Sequence, residues 1–312
     1  MVTIDTLWGP APGPGLDERG ADLAQIMALP TWSTPPFDGR TPGITTLLLE
    51  RVELIQVTIA QRSLEVYFQP IVSLRSGDAI GVEALARFAP LPVRSPDLWF
   101  TEAASLGLGV DLEVLALELA LSQLKRLPAH LYLSLNASVE AILSEEFRTT
   151  MADVPAERIV LELTEHTPVE DYTRLSLVID ELRSRGVRLA IDDAGAGFSS
   201  LRHILDLQPD VIKLDIGLIR GIDTDPARQS LGRALLAFAL DAFDASVVAE
   251  GIETPGELTT LRELGCPCGQ GFLLGRPVRL RELPAVVASA GQWDPRRSVR
   301  VAVDGGLGAA SG

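Results

Sequence analysis

Between about residue 46 and residue 290 the chain repeats one pattern, a short apolar run rich in β-formers followed by a turn and a segment of helical periodicity. That alternation marks βα units and a mostly parallel sheet. The runs predict strands over 65–72, 79–87, 131–136, 158–163, 188–191, 211–214, 246–249 and 271–274. Eight such strands predict an α/β fold closed into a TIM-like (β/α)8 barrel, an architecture that takes about 250 residues. Helical patterns run over 111–126, 169–185, 227–243 and 255–264, the second stopping at Gly186 and the last at Gly265, as helix C-termini commonly do. Only Arg75, Ser76, Gly77 and Asp78 join the first two runs. Four residues cannot hold a helix, so the barrel is expected to begin with an antiparallel hairpin.

The flanks read differently. Residues 1–45 carry Pro10, Pro12, Pro14, Pro30, Pro35, Pro36 and Pro42 among many glycines and are expected to form an arm, with one short helix near 23–29. Residues 46–290 are the expected barrel, and 291–312, rich in Gly, Ala and Ser toward the end, the expected flexible tail. An arm of this length is too short for a second sensor or cyclase domain of about 100 residues. The segment 47–59, apolar at near-helical spacing, is expected to pack under the barrel.

Asp241 and Asp244 interrupt the apolar segment 234–248, and no other run approaches the roughly 18 residues of a membrane span. Asp5, Asp17 and Glu18 near the start do not resemble a secretory signal, so a cytoplasmic protein is expected. The two cysteines, Cys266 and Cys268, lack companions at metal-ligand spacing and read as small residues in a turn before a strand. A formal charge of −15 opposes broad binding to DNA, RNA or an anionic membrane. If the ligand is a small phosphate diester, positive charge must be supplied locally, and bound divalent cations do this efficiently.

The ends of the predicted strands carry Glu83, Asn136, Glu162 with Glu165, Asp192 with Asp193, Lys213 with Asp215, Glu250 with Glu253, and Gln270. In a (β/α)8 barrel these ends form one mouth. Any one acid there is as readily a helix cap as a ligand. Together they repel, each close pair by about 4 kcal/mol at 4 Å in an effective dielectric near 20. Oxygen donors from Asp, Glu and Asn are what Mg²⁺ or Mn²⁺ prefers, so a metal site is expected. Asp192 and Asp193 stand where a strand breaks into the turn 194–197, so strand alternation need not hold and both carboxylates can reach the mouth. Lys213 reads either as a salt-bridge partner or as a group positioning an attacking water. His130, His166 and His203 are scattered and read as structural or surface residues.

With these residues in order, the chain resembles a known family. Gln69-Pro70-Ile71 and Glu83-Ala84-Leu85-Ala86-Arg87 resemble the signature of EAL-type cyclic di-GMP phosphodiesterases, followed by Leu135-Asn136-Ala137-Ser138, Glu162-Leu163-Thr164-Glu165, Asp192-Asp193, Lys213-Leu214-Asp215, Glu250-Gly251-Ile252-Glu253 and Gln270-Gly271-Phe272. The resemblance covers roughly 46–284 and implies hydrolysis of one phosphodiester bond of cyclic di-GMP to linear pGpG. It further implies two divalent cations, Mg²⁺ or Mn²⁺, one held by Glu83, Asn136, Glu162 and Asp192, with Asp192 bridging to a second held by Asp193. Glu250 would act in proton transfer and Lys213 would orient the water. Gln69, Arg87, Asp215 and Gln270 would serve the substrate side, Arg87 through a phosphate and Gln270 beside metal-bound waters, while Glu165 and Glu253 would brace loops. A homodimer is implied as well. Where the family commonly has Phe-Gly-Thr-Gly after the paired aspartates, this chain has Ala194-Gly195-Ala196-Gly197, which bears on turnover more than on identity. The competing reading is a receptor or protein-interaction scaffold without turnover, for which missing metal carboxylates are the expected mark; none is missing.

Overall fold

The computed structural model describes residues 44–88, 94–163, 171–194 and 198–290. The expected helix near 23–29, nearly all of the arm, the tail, Glu165, His166 and residues 195–197 lie outside the described residues. The chain divides into two units, Met1–Leu48 and Leu49–Gly312, and the barrel belongs to the second.

Among the described residues nine strands form one sheet: β1 (Leu64–Ser73), β2 (Ala79–Phe88), β3 (Tyr132–Ala137), β4 (Ile159–Leu163), β5 (Arg188–Ala194), β6 (Val211–Leu214), β7 (Ser246–Ala249), β8 (Cys268–Gly269) and β9 (Val278–Arg279). They run in the order β2-β3-β4-β5-β6-β7-β8-β1-β9, and β1 also pairs with β2, so β1 to β8 close a ring. The pairs from β2–β3 to β7–β8 are parallel, whereas β1 is antiparallel to β2, β8 and β9. The expected TIM-like barrel with an antiparallel first hairpin is therefore what forms. Gly81 makes the floor of the ring possible, because a Cβ there would lie 2.4 Å from the Tyr132 ring. The guanidinium of Arg188 covers that ring at 4.7 Å.

Helices Gly109–Gln123, Tyr172–Ser184, Pro226–Phe243 and Pro255–Glu263 lie where their periodicity predicts them. Helices Pro96–Ser105, Glu145–Thr150, Phe198–Leu207 and Leu283–Ala290 are additional. Arg158, just before β4, fastens the stretch between helix Gly109–Gln123 and β3: its guanidinium donates to the carbonyls of Leu124, Leu127, Pro128 and Leu131 at 2.8 to 3.4 Å. Carbonyls of such an irregular connection lack the regular partners of a helix or sheet, and the guanidinium supplies donors to them. The predicted helix at 47–59 is present as Ile44–Ala60, but it does not pack under the barrel. Ile55 is buried with Leu64, Phe88, Trp99, Ala103, Leu112 and Leu115, beside the open end of the β1–β2 hairpin. Among the described residues no helix is long and apolar enough to cross a membrane.

The eighth strand departs from expectation. It is Cys268–Gly269, so Cys268 opens the strand rather than preceding it, and 271–274 forms a turn. Two constraints shorten it. β1 gives only Val72 and Ser73 to β8, its other end pairing with β9. Gly271 then passes so close to β7's exit that a Cβ would sit 2.2 Å from the backbone N and O of Ile252. A hydrogen bond from Ile252 N to Gln270 O at 3.0 Å continues the seam there. Gly271→Ala is expected to cost about 1–3 kcal/mol by overpacking and to displace Gln270 from the mouth; urea unfolding of the variant, with an unchanged midpoint as the contrary result, checks it.

Candidate active site

The barrel interior is built in two layers by one rule. Strand side chains alternate, so residues i and i+2 share a face. Ile71, Val160, Ala190, Val211, Val248 and Cys268 form one buried apolar cluster. Two residues onward on β4 to β8 stand Glu162, Asp192, Lys213, Glu250 and Gln270. On β1, which runs the other way, Gln69 stands two residues earlier and pairs in register with Glu83. An apolar floor thus carries a polar layer at the mouth.

Lys213 is the centre of that layer and is 2% exposed. Its ammonium lies 2.7 Å from Glu162 Oε2, 2.6 Å from Glu250 Oε1 and 3.2 Å from Asp192 Oδ1. Burial pulls its pKa down, but Glu162, Glu250, Glu83 and Asp192 together hold it well above the usual range, so it remains charged. One ammonium does not balance these acids. Burial, opposed by Lys213 and reinforced by Glu83 and Asp192, pushes the Glu162 carboxyl up to about 8. Burial also raises Glu250, again against Lys213 and with Asp192.

Glu83 is held by amides. Asn136 Nδ2 donates to its Oε1 at 2.9 Å and Gln270 Nε2 to its Oε2 at 2.6 Å. Gln270 also donates to Gln69 Oε1 at 3.0 Å, and Gln69 Nε2 to the Gly275 carbonyl at 3.0 Å. Gln270 Oε1 is buried without a hydrogen-bond partner. An acceptor in that position suits a water bound to a cation.

Asp192 and Asp193 both reach the mouth because β5 bulges. Its register against β6 shifts between Ile191 and Ala194, and Asp193 takes a left-handed φ of 54°. Aspartate is among the few non-glycine residues that visit this region readily. The Asp193 N–H donates to Asp192 Oδ1 at 3.0 Å, fastening the turn. Oxygens of Asp192, Asp193 and Glu250 lie within 4.8 Å of one another. With Glu83, Asn136 and Glu162 beside them, these all-oxygen donors in net negative surroundings fit a hard divalent cation.

A cavity of about 690 Å³ opens over Glu83, Asn136, Asp192 and Asp193 and runs out along Arg87 to Phe100, Thr101 and Glu113. Arg87 lines it, with its guanidinium donating to the Ala86 carbonyl at 2.8 Å. Asp215, after β6, caps the helix Ile216–Ile219 by accepting from Gly217 N at 2.7 Å. Glu253 pairs with Arg220 at 3.6 Å on the surface. The support of its loop comes from Glu257, whose carboxylate accepts from the backbone N–H of Glu253, Thr254 and Gly221. Burial opposes ionisation of Glu257, yet those donors keep its carboxyl below the usual range. Sequence reasoning missed Glu257, although Thr254-x-x-Glu257 is a capping box before a helix. It also missed Glu113, which accepts Ser138 N at 2.8 Å, and Ser134, two residues before Asn136 on the same strand face.

The EAL domain family model matches residues 52–277. The cyclic di-GMP phosphodiesterase NbdA of Pseudomonas aeruginosa is 30% identical over 280 residues, covering 86% of this chain and 36% of that protein. An uncharacterized protein of Azorhizobium caulinodans is 34% identical over 231 residues, covering 69% of this chain and 31% of that one. The chain thus spans about a third of the length of these curated relatives. Among solved structures, the PaMucR phosphodiesterase in complex with c-di-GMP superposes with a TM-score of 0.66 at 29% identity, over 75% of this chain and 99% of that one.

The crowded acids set a pH dependence. Glu162 and Glu250 have folded pKa values raised from the usual 4.5, Glu162 to about 8, so between these values the folded state binds more protons than the unfolded one. Their contribution to stability therefore falls as pH rises through that window. The melting temperature of the cation-free chain is expected to drop from about pH 5 to about pH 8. Adding Mn²⁺ should raise it most at the upper end, and Glu162→Gln should flatten the slope. A pH-independent Mn²⁺ shift in differential scanning fluorimetry would contradict this account.

Proposed function

The chain belongs to the EAL domain family, and from that membership we propose that it hydrolyses one phosphodiester bond of cyclic di-GMP to linear pGpG, using two divalent cations, Mg²⁺ or Mn²⁺. The observation that carries the reading is the charge imbalance at the mouth. Five carboxylates, of Glu83, Glu162, Asp192, Asp193 and Glu250, surround one ammonium beside a cavity of about 690 Å³. That volume lies within the range of small-ligand sites. Solved relatives with c-di-GMP bound support the choice of ligand.

In this reading Glu83, Asn136, Glu162 and Asp192 would hold one cation, and Asp192 and Asp193 would hold the other. Divalent cations in such a site lower the pKa of a bound water toward neutrality and offset the charge that grows on the phosphate oxygens. The remaining work falls to side chains. Lys213, at 2.6 Å from Glu250 Oε1, orients that carboxylate and opposes the rise that burial gives its pKa, so that with cations bound Glu250 would accept the water's proton. As the water oxygen bonds to phosphorus and gives its proton to Glu250, one P–O ester bond breaks and the departing ribose oxygen takes up a proton from solvent at the open mouth. Arg87, on the cavity wall, neutralises a non-reacting phosphate oxygen. Gln270 holds Glu83 through its amide nitrogen, which Gln69 Oε1 also accepts from, and would support waters bound to a cation, while Gln69 would contact the substrate. A homodimer in the bacterial cytoplasm belongs to the same proposal, supported by the exposed Leu231 and Leu240 on helix Pro226–Phe243.

Incubation of the chain with cyclic di-GMP and Mn²⁺, followed by chromatography, should yield pGpG. Glu83→Ala should reduce the rate at least about a hundredfold, as loss of an oriented metal ligand does. Tight binding without linear product would replace the enzyme reading with the receptor reading.

A further inference from the structure

One buried polar group in the barrel has no role in the reading above. Ser134, on β3, is 1% exposed. It pairs in register with Glu83 on β2 and Val160 on β4, one layer below Asn136, which pairs with Glu162. Its hydroxyl donates to Glu162 Oε1 in a short hydrogen bond, while Glu162 Oε2 meets Lys213 Nζ at 2.7 Å. Glu162 would be ionised with a cation beside it and an ionised carboxylate only accepts, which is the direction of this contact: the serine hydrogen points at Glu162. The two oxygens of Glu162 are thus fastened separately, one by a neutral donor from the floor and one by an ammonium from β6.

We propose that Ser134 is a positioning residue for the metal site, fixing the Glu162 carboxylate so that the remaining lone pair on each oxygen is turned to the mouth. The inference rests on the cation reading above and adds to it a residue outside the ligand set. Its physical basis is the count of contacts. A carboxylate offers about four acceptor positions, of which Ser134 and Lys213 take two from below and from the side. Glu162 is 1% exposed, so no bulk water replaces a missing donor. Without Ser134 the carboxylate can rotate about its last torsion toward Lys213 as a bidentate partner, and both oxygens then turn away from the cation. Groups that orient a ligand in this way commonly change metal affinity by ten- to a hundredfold.

The test is titration of Mn²⁺ alone into the full chain by calorimetry, with kcat and KM for cyclic di-GMP measured alongside. Ser134→Ala should weaken Mn²⁺ affinity by about ten- to a hundredfold and lower kcat in step at saturating substrate, with KM little changed. Ser134→Thr, which keeps the hydroxyl, should restore the affinity; should the added methyl unfold the barrel, Ser134→Cys, a near-isosteric but weak donor, should fall between alanine and wild type. A Ser134→Ala protein that melts earlier yet binds Mn²⁺ as wild type does would make the serine a packing residue and overturn the proposal. If the wild-type chain itself binds no Mn²⁺, the metal reading falls and this inference with it, whereas equal binding by wild type and Ser134→Ala removes the inference alone.

Discussion

The buried ammonium of Lys213 is the constraint from which the upper barrel follows. Removing such a charge from water is costly, and only close partners offset the cost. Glu162, Glu250 and Asp192 supply them within 3.2 Å, from β4, β7 and β5. A cluster of this kind is a poor way to stabilise a fold, since well-packed apolar side chains of equal volume do as well or better. The same strands show the cheaper solution one layer lower, where valine, alanine and cysteine fill the interior. The polar layer is therefore kept for chemistry, and the apolar one beneath it keeps the strands in place.

The two ends of the barrel divide the labour accordingly. At the floor, Tyr132 fills the space Gly81 leaves open, Arg188 covers its ring, and Arg158 gathers the carbonyls of the loop before β3. None of these groups faces the cavity. At the mouth the side chains that touch one another are acids, amides and one lysine, and the loops after β7 and β8 are held by backbone bonds to Gln270, Ile252 and Glu257.

Much of this was legible in the residues because strand periodicity is strict. The β-rich runs located seven strands to within a few residues, β6 and β7 among them residue for residue, Val211–Leu214 and Ser246–Ala249. The eighth was misplaced because Phe272-Leu273-Leu274 looks like a strand in isolation. What ends it at Gly269 is the close approach of Gly271 to the backbone of Ile252, from the exit of β7, which no local pattern contains. The adjacency of Asp192 and Asp193 signalled the bulge before its geometry was known. Ser134 escaped notice because serine carries little chemistry alone; only burial and the partner across two strands give it meaning. Glu257 escaped because it sits one turn into a helix, where an acid usually signifies nothing beyond the cap it makes.

The left-handed backbone of Asp193 separates what is good for the fold from what is good for the reaction. Glycine at that position would relieve about 1 kcal/mol of backbone strain while deleting a carboxylate from the mouth. Loss of turnover by that route carries little folding penalty and leaves the barrel, the cavity and Arg87 intact. Under the hydrolase proposal, an EAL barrel built this way stands one substitution from reading its nucleotide instead of cleaving it, and stability alone would not hold the aspartate in place.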